Sequence, residues 1–204
     1  MLQNKSPFFV SEEFLSPLLC EDILDLVDFT VPNTDKDGNN VITLKSSQQA
    51  EMIIFERLQH LMPTIEQHYD VLYKGTEPMK FEWIPPGAES TMGAENSAYV
   101  RGKWLRVKPA DLTAIIFLSD YQNKAEFESE YEVYGGKLEF PQHQFGFNPV
   151  RGTLIVFPSD PHFINQSVQV HMGDLYQVRI QIVCKNPLYY QPNKFPGNYT
   201  TWFQ

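Results

Sequence analysis

The side chains able to do chemistry in this sequence are few and scattered: five histidines (His60, His68, His143, His162 and His171) and two cysteines, Cys20 and Cys184. None carries the spacing of a metal or nucleophile motif, for there is no Cys-x-x-Cys, His-Glu-x-x-His, Gly-x-Ser-x-Gly or phosphate-cradling glycine loop. His60 and His68 stand on either side of Pro63 and read as helix-surface residues. The cysteines are far apart and each sits among apolar neighbours, the pattern of buried free thiols in a reducing compartment, with a single disulfide as the alternative. A formal charge of -9 opposes a phosphate-backbone partner, so no nucleic acid is expected. The opening residues MLQNKSPFFV lack a leader pattern and no stretch reaches membrane-spanning length. The expectation is a non-secreted chain, cytoplasmic when made, with no membrane partner.

Periodicity divides the chain in two. Between 1 and 75 it reads as helical: Ser16 caps a helix running to Phe29, and Ser46 and Ser47 open a second one that Pro63 ends. Thr64 to about Tyr73 reads as a third helix with a Thr-x-x-Gln start. Residues 31–43 read as a loop. From 78 to 185 strands take over: KFEWI, LTAIIFLS, GKLEF, GTLIVF and LYQVRIQIVC. The last is two-sided, with Tyr176, Val178, Ile180, Ile182 and Cys184 on an apolar face and Leu175, Gln177, Arg179, Gln181 and Val183 on a more polar one. The apolar face is expected against the helices, and the polar one toward a barrel interior or solvent. Helices followed by strands predict an α+β fold, and 204 residues suit one domain, 1–185.

Two segments stand apart. Residues 121–134 alternate Glu126, Glu128, Glu130 and Glu132 with Phe127, Ser129, Tyr131 and Val133, predicting an inserted acidic hairpin. Residues 186–204 hold Tyr189, Tyr190, Phe195, Tyr199, Trp202 and Phe203 among three prolines and read as an extended arm. Exposed aromatic residues supply contact area at low entropic cost, so both segments are candidate interfaces. The arm docks either on its own sheet or on a neighbour. The acidic segment is either a solvated ribbon or a docking strip for a basic partner or another copy.

The order of strings resembles the prolyl 4-hydroxylase-like branch of the 2-oxoglutarate/iron(II) dioxygenases, in particular their short phage-type members. FFVSEEFLSPLLCEDIL, IPPG, GKWLR, DLTAIIFLSD, GGKLEF, RGTLIVFPS and V-x-x-G-x-x-Y follow one another as in that family from about Phe8 to Lys185. The resemblance implies a double-stranded β-helix, or jelly roll, with supporting N-terminal helices, and makes Gly135-Gly136 a tight turn. It also implies an iron(II) site of two histidines and one carboxylate, with a basic residue for the far carboxylate of 2-oxoglutarate. The positions matched are Gly93 and Glu95 (for His-x-Asp), Asn165 (for the second histidine) and Leu175 (for the basic residue). Glycine offers a metal nothing, an amide oxygen is a poor ligand beside imidazole, and leucine leaves a buried carboxylate unpaired.

These departures predict a protein without catalytic residues, metal or cofactor, acting by association as a homo-oligomer, and the phage-type resemblance implies a partner of other virion proteins, such as a neck, tail or decoration component. Two alternatives remain. One is an active hydroxylase on altered ligands, with His162 and Glu95 in a shifted site, which would need iron(II) and 2-oxoglutarate. The other is a module for a small acidic ligand using the barrel mouth and Arg179, about 13 Å along the strand from Leu175.

Overall fold

Period-two alternation makes strands the main regular element of the described residues, and the question is which faces they bury. The computed structural model describes residues 6–34, 41–124 and 127–186, so the arm residues Tyr189, Tyr190, Phe195, Tyr199, Trp202 and Phe203, and Glu126, lie outside the described residues. The strands in chain order are β1 (Phe9–Ser11), β2 (Val27–Thr34), β3 (Ile42–Ser46), β4 (Tyr73–Thr76), β5 (Lys80–Ile84), β6 (Ser97–Val100), β7 (Lys103–Arg106) and β8 (Leu112–Phe117). They continue as β9 (Asp120–Tyr121), β10 (Glu132–Gly135), β11 (Leu138–Phe140), β12 (Phe145–Phe147), β13 (Leu154–Pro158), β14 (Gln166–Ser167), β15 (Val170–Gly173) and β16 (Leu175–Cys184). Helix α1 spans Pro17–Asp25 and α2 spans Gln48–Tyr69.

The large sheet runs β1-β13-β8-β16-β5-β3-β2, with β4 also paired to β16. Two three-stranded sheets, β15-β10-β9 and β12-β11-β14, form the second layer. This is the α+β jelly roll that the sequence predicted. The six residues of β8 are all buried because each face meets a different core. Ala114 and Ile116 join Val156, Val178, Ile180 and Ile182 against the helices, through Cys20, Ile23, Ile54, Leu58 and Ile65. Ile115 and Phe117 join Ile155, Phe157 and Leu175 against Val133, Leu138, Phe140 and Val170 of the second layer. The apolar side of β16 thus faces the helices, as its alternation requires.

Local signals account for the helix starts. Ser16 Oγ accepts from Leu19 N at 3.2 Å and Ser47 Oγ accepts from Ala50 N at 3.1 Å. Their ends differ from the sequence reading. Helix α1 stops at Asp25, because Val27 already enters β2. Helix α2 passes through Pro63 to a left-handed cap at Asp70, so the third helix is its continuation. Its buried residues Ala50, Ile54, Leu58, Met62, Ile65 and Tyr69 keep one face in register across the proline, and packing outweighs the missing N–H. The N-terminal part is also not purely helical. Strands β1 and β13 pair, and β3 lines up with β5 through Ile42↔Trp83 and Leu44↔Phe81, so the 31–43 loop is narrower than expected.

Residues 121–134 are not a hairpin. Strands β9 and β10 pair in parallel, Glu132 opposite Asp120, and the described residues between Gln122 and Tyr131 form no strand. Glu132 rolls that loop up, for its buried carboxylate accepts from Gln122 Nε2 and from the backbone N–H groups of Glu128 and Ser129. Glu132 is thereby a loop staple and not an interface residue, while Glu128 and Glu130 are exposed. The Gly135-Gly136 turn does adopt positive φ at both residues, 93° and 68°. Cys20 and Cys184 are buried free thiols, and burial pushes both up to about 12.

Pro63 is solvent-exposed and denies Gln59 its helical hydrogen bond. Replacing it should therefore stabilise the fold. We expect Pro63→Ala to raise the free energy of unfolding by up to about 3 kcal/mol. An unchanged or lowered urea midpoint would refute this account of the helix.

Candidate functional site

On β16 the inner side carries Leu175, Gln177, Arg179 and Gln181, and β5 lies alongside with Glu82 opposite Gln177. Cross-strand neighbours on one face lie close enough to interact, and here they do. Gln177 Nε2 donates to Glu82 Oε2 at 2.7 Å. Arg179 Nε lies 3.1 Å from each Glu82 oxygen, and its Nη1 donates to Glu95 Oε1. Asn165 Nδ2 donates to the same Glu95 oxygen at 3.3 Å and to Phe163 O at 3.1 Å. Gly93 and Asn165 are joined by a two-way backbone bridge, both bonds 3.1 Å. The residues at the positions matched to the family's iron ligands are thus brought together, with a guanidinium between two carboxylates in their midst.

Arg179 and both its partners are nearly withdrawn from water, with side-chain exposures of 10%, 10% and 12%. Burial alone would push the guanidinium down, but the fields of Glu82 and Glu95 outweigh it and hold the charge more firmly than in water. A cavity of about 220 Å³ opens beside this network, lined in part by Thr43, Lys80, Ser90, Thr91, Lys108 and Gln181. Arg179 faces that cavity, as the acidic-ligand reading needs, yet its Nε and Nη1 already donate to two carboxylates. Among the described residues Lys80 and Lys108 have no carboxylate within ion-pair distance.

Leu175 is fully buried against Ile84, Phe117, Phe140, Phe157 and Phe163. The space beside it is packed hydrocarbon, in which a carboxylate would lack both water and a cation. His162 does not join the cluster. It bonds Asp160 through Nδ1 at 2.7 Å, has a side chain 38% exposed and lies outside the cavity lining to which Glu95 belongs. Among the described residues no three of His, Cys, Asp and Glu gather to hold a metal. Iron(II) and 2-oxoglutarate therefore do not fit the residues at these positions.

None of the remaining histidines lines the cavity. His143 is buried, stacked on Phe163 at 4.6 Å and bonded through Nε2 to His162 O at 2.7 Å, and burial holds its pKa below the usual imidazole value. His171 lies against Tyr134. His60 is exposed as expected, whereas His68 is half-buried and ties Ser6 O to α2 at 2.9 Å. Sequence reasoning missed Glu82 and Gln177. The signal was there in part: Glu82 alternates with Phe81 and Trp83 as Gln177 and Arg179 do with Val178 and Ile180, two strands each carrying polar groups on one inner face.

The comparisons with known proteins agree with the topology. No protein-family model and no curated protein matches this sequence. Among solved structures, the chain is similar to the viral collagen prolyl hydroxylase of Paramecium bursaria Chlorella virus-1 in complex with 2-oxoglutarate, at a TM-score of 0.65 and 14% identity over 89% of this chain and 98% of that one. A prolyl hydroxylase of Trichoplax adhaerens, in complex with a peptide fragment of the hypoxia inducible factor oxygen degradation domain, follows at 0.64 and 12%, covering 89% and 84%. A Pseudomonas putida prolyl-4-hydroxylase aligns at 0.57 and 16%, covering 87% and 92%. The chain has the fold of the prolyl hydroxylase-like 2-oxoglutarate/iron(II) oxygenases. Among the described residues no helix is long and apolar enough to cross a membrane.

Removing one partner from a buried charge network strands the others. We expect Arg179→Met to destabilise the fold by about 3–5 kcal/mol, and a triple variant with Glu82→Gln and Glu95→Gln to recover most of that loss. Denaturant titration of the single and triple variants checks both, and a single variant as stable as the parent would show that the network carries no structural weight.

Proposed function

We propose that this chain is a non-catalytic jelly-roll protein that acts by association, a structural or assembly component of a virion such as a neck, tail or decoration part. The observation that carries the reading is the Glu82–Arg179–Glu95–Asn165 network. It fills with a protein-borne cation the corner where the fold's enzymes would place a metal, while Leu175 stands where they would need a base. A pocket so occupied has no open coordination position to activate oxygen. The viral part rests on the likeness to short phage-type members, and one structural neighbour is itself encoded by a virus. Its partners are then further copies of the chain or other virion proteins, and the aromatic arm is a natural contact with them.

A second reading draws on the two rim lysines, Lys80 and Lys108: a module that holds a small acid in the cavity without metal. One experiment separates the readings. Anaerobic calorimetry with iron(II) and 2-oxoglutarate should show neither binding tightly, and tight binding of both would overturn the proposal. Thermal stabilisation by 2-oxoglutarate or another dicarboxylate alone would favour the second reading. The arm is tested separately. A chain ending at Lys185 should lose assembly relative to the full chain in light scattering, and a fully assembled truncation would remove the arm from the contact.

A further inference from the structure

Strands β6 and β7 form a two-stranded ribbon that pairs with no other described strand. Its turn, Arg101-Gly102, has φ of 48° and 80°, the positive values of a tight hairpin turn. A lone ribbon has no core of its own, yet this one carries Tyr99, Val100, Trp104 and Leu105, with Val107 just beyond, all of them exposed. Tyr99 is 63% exposed and its ring is tilted at 58° to that of Trp104, ring centres 5.2 Å apart. Tyr99 and Trp104 share one face of the ribbon and Val100 and Leu105 the other, and apolar groups left in water in this way mark a contact surface.

Charge sharpens the reading. From Ser97 to Ala110 there are four cations, Arg101, Lys103, Arg106 and Lys108, and no Asp or Glu, in a chain whose formal charge is -9. Arg106 anchors the root, donating to the Lys108, Pro109 and Ala110 carbonyls and to Asp111. The ribbon is thus a cationic, aromatic projection on an anionic body.

The other end of the central strands has the opposite character. There Asp25 and Glu130 are exposed and Tyr131 stands in their field, while Arg151, bonded to Glu21 at 2.8 Å, holds its guanidinium 5.7 Å from the centre of the Tyr131 ring. Phe29, 41% exposed, meets Tyr176 edge-on at 5.6 Å. The ribbon root is fixed where Asp111 N donates to Ile182 O, and the acidic face where Leu118 N donates to Tyr176 O and Asp120 N to Tyr131 O. Eight residues along β8 separate Ala110 from Leu118, about 25 Å at strand rise.

We propose that the β6–β7 ribbon docks on the Glu130–Asp25–Tyr131 face of a second copy of this chain, joining copies head to tail. The contact rests on the association reading above and names its surfaces. A joint between two different faces leaves one of each free on every pair, so it repeats until it closes as a ring or extends as a filament. The chain's own acidic face is present at the same concentration as the ribbon and complements it, whereas polyanions such as nucleic acid or anionic lipid meet repulsion from the rest of the molecule.

The test uses the full chain and two charge-reversed variants at exposed positions. Arg101→Asp with Lys103→Glu reverses the ribbon, aspartate being tolerated at the positive-φ turn, and Asp25→Lys with Glu130→Lys reverses the face. Sedimentation at low and high salt should show a parent multimer that weakens with salt, and at least a ten-fold weaker association for either variant alone. Equimolar mixing of the two variants should restore assembly, a result that misfolding cannot imitate. A parent multimer unaffected by either variant would overturn this contact and leave the association reading standing. A parent that stays monomeric at every concentration would overturn both, and ribbon-dependent binding of single-stranded DNA or anionic vesicles by such a monomer would assign the ribbon to that partner instead.

Discussion

A guanidinium held between two carboxylates, all three nearly withdrawn from solvent, is the constraint around which the barrel mouth is organised. Two buried anions near each other repel, and each demands hydrogen bonds in a medium that offers few. Arg179 answers both demands, and it does so only if β16 and β5 keep their register, because Gln177 and Arg179 reach Glu82 from a common face. Glu95 closes the set from a loop, and the backbone bridge between Gly93 and Asn165 keeps that loop against the segment before β14. The network therefore ties a sheet to two loops through directional bonds, where a hydrocarbon core would leave their spacing looser.

The same strands separate two cores of unlike composition. Against the helices the packing is mainly aliphatic, as expected where helix ridges meet a sheet. Between the layers it is richer in aromatic rings, with Phe8, Phe117, Phe140, Phe157 and Phe163 among the aliphatic residues. Phe8 arrives from just before β1 and meets Phe140, Phe145, Phe147 and Phe163 at ring distances of 4.7 to 5.7 Å. An interior closed by a segment from the other end of the chain is a plug, and it makes the N-terminal strand part of the barrel's filling.

How much of this was legible in the sequence depends on the range of the signal. Strands β5, β8, β13 and β16 announce themselves by local alternation or by apolar runs, and the matched positions Gly93, Glu95 and Asn165 do meet in space. Pro63 misled because a proline's local cost is visible in sequence, while the packing of Met62, Ile65 and Tyr69 that offsets it is not. The acidic segment misled in the same way: every second residue is charged, yet the tertiary pairing of β9 with β10 turns Glu132 inward to staple the loop. Glu82 was overlooked because its role exists only across a strand pair, and pairing partners are not written in either strand alone.

A cation built into the polypeptide behaves differently from one borrowed from solution. A guanidinium cannot be drawn off by a chelator or change oxidation state, and it keeps its proton at any pH a protein survives. The cation at the centre of this network is accordingly unaltered by metal supply or redox poise, and so are the bonds that it makes to Glu82 and Glu95.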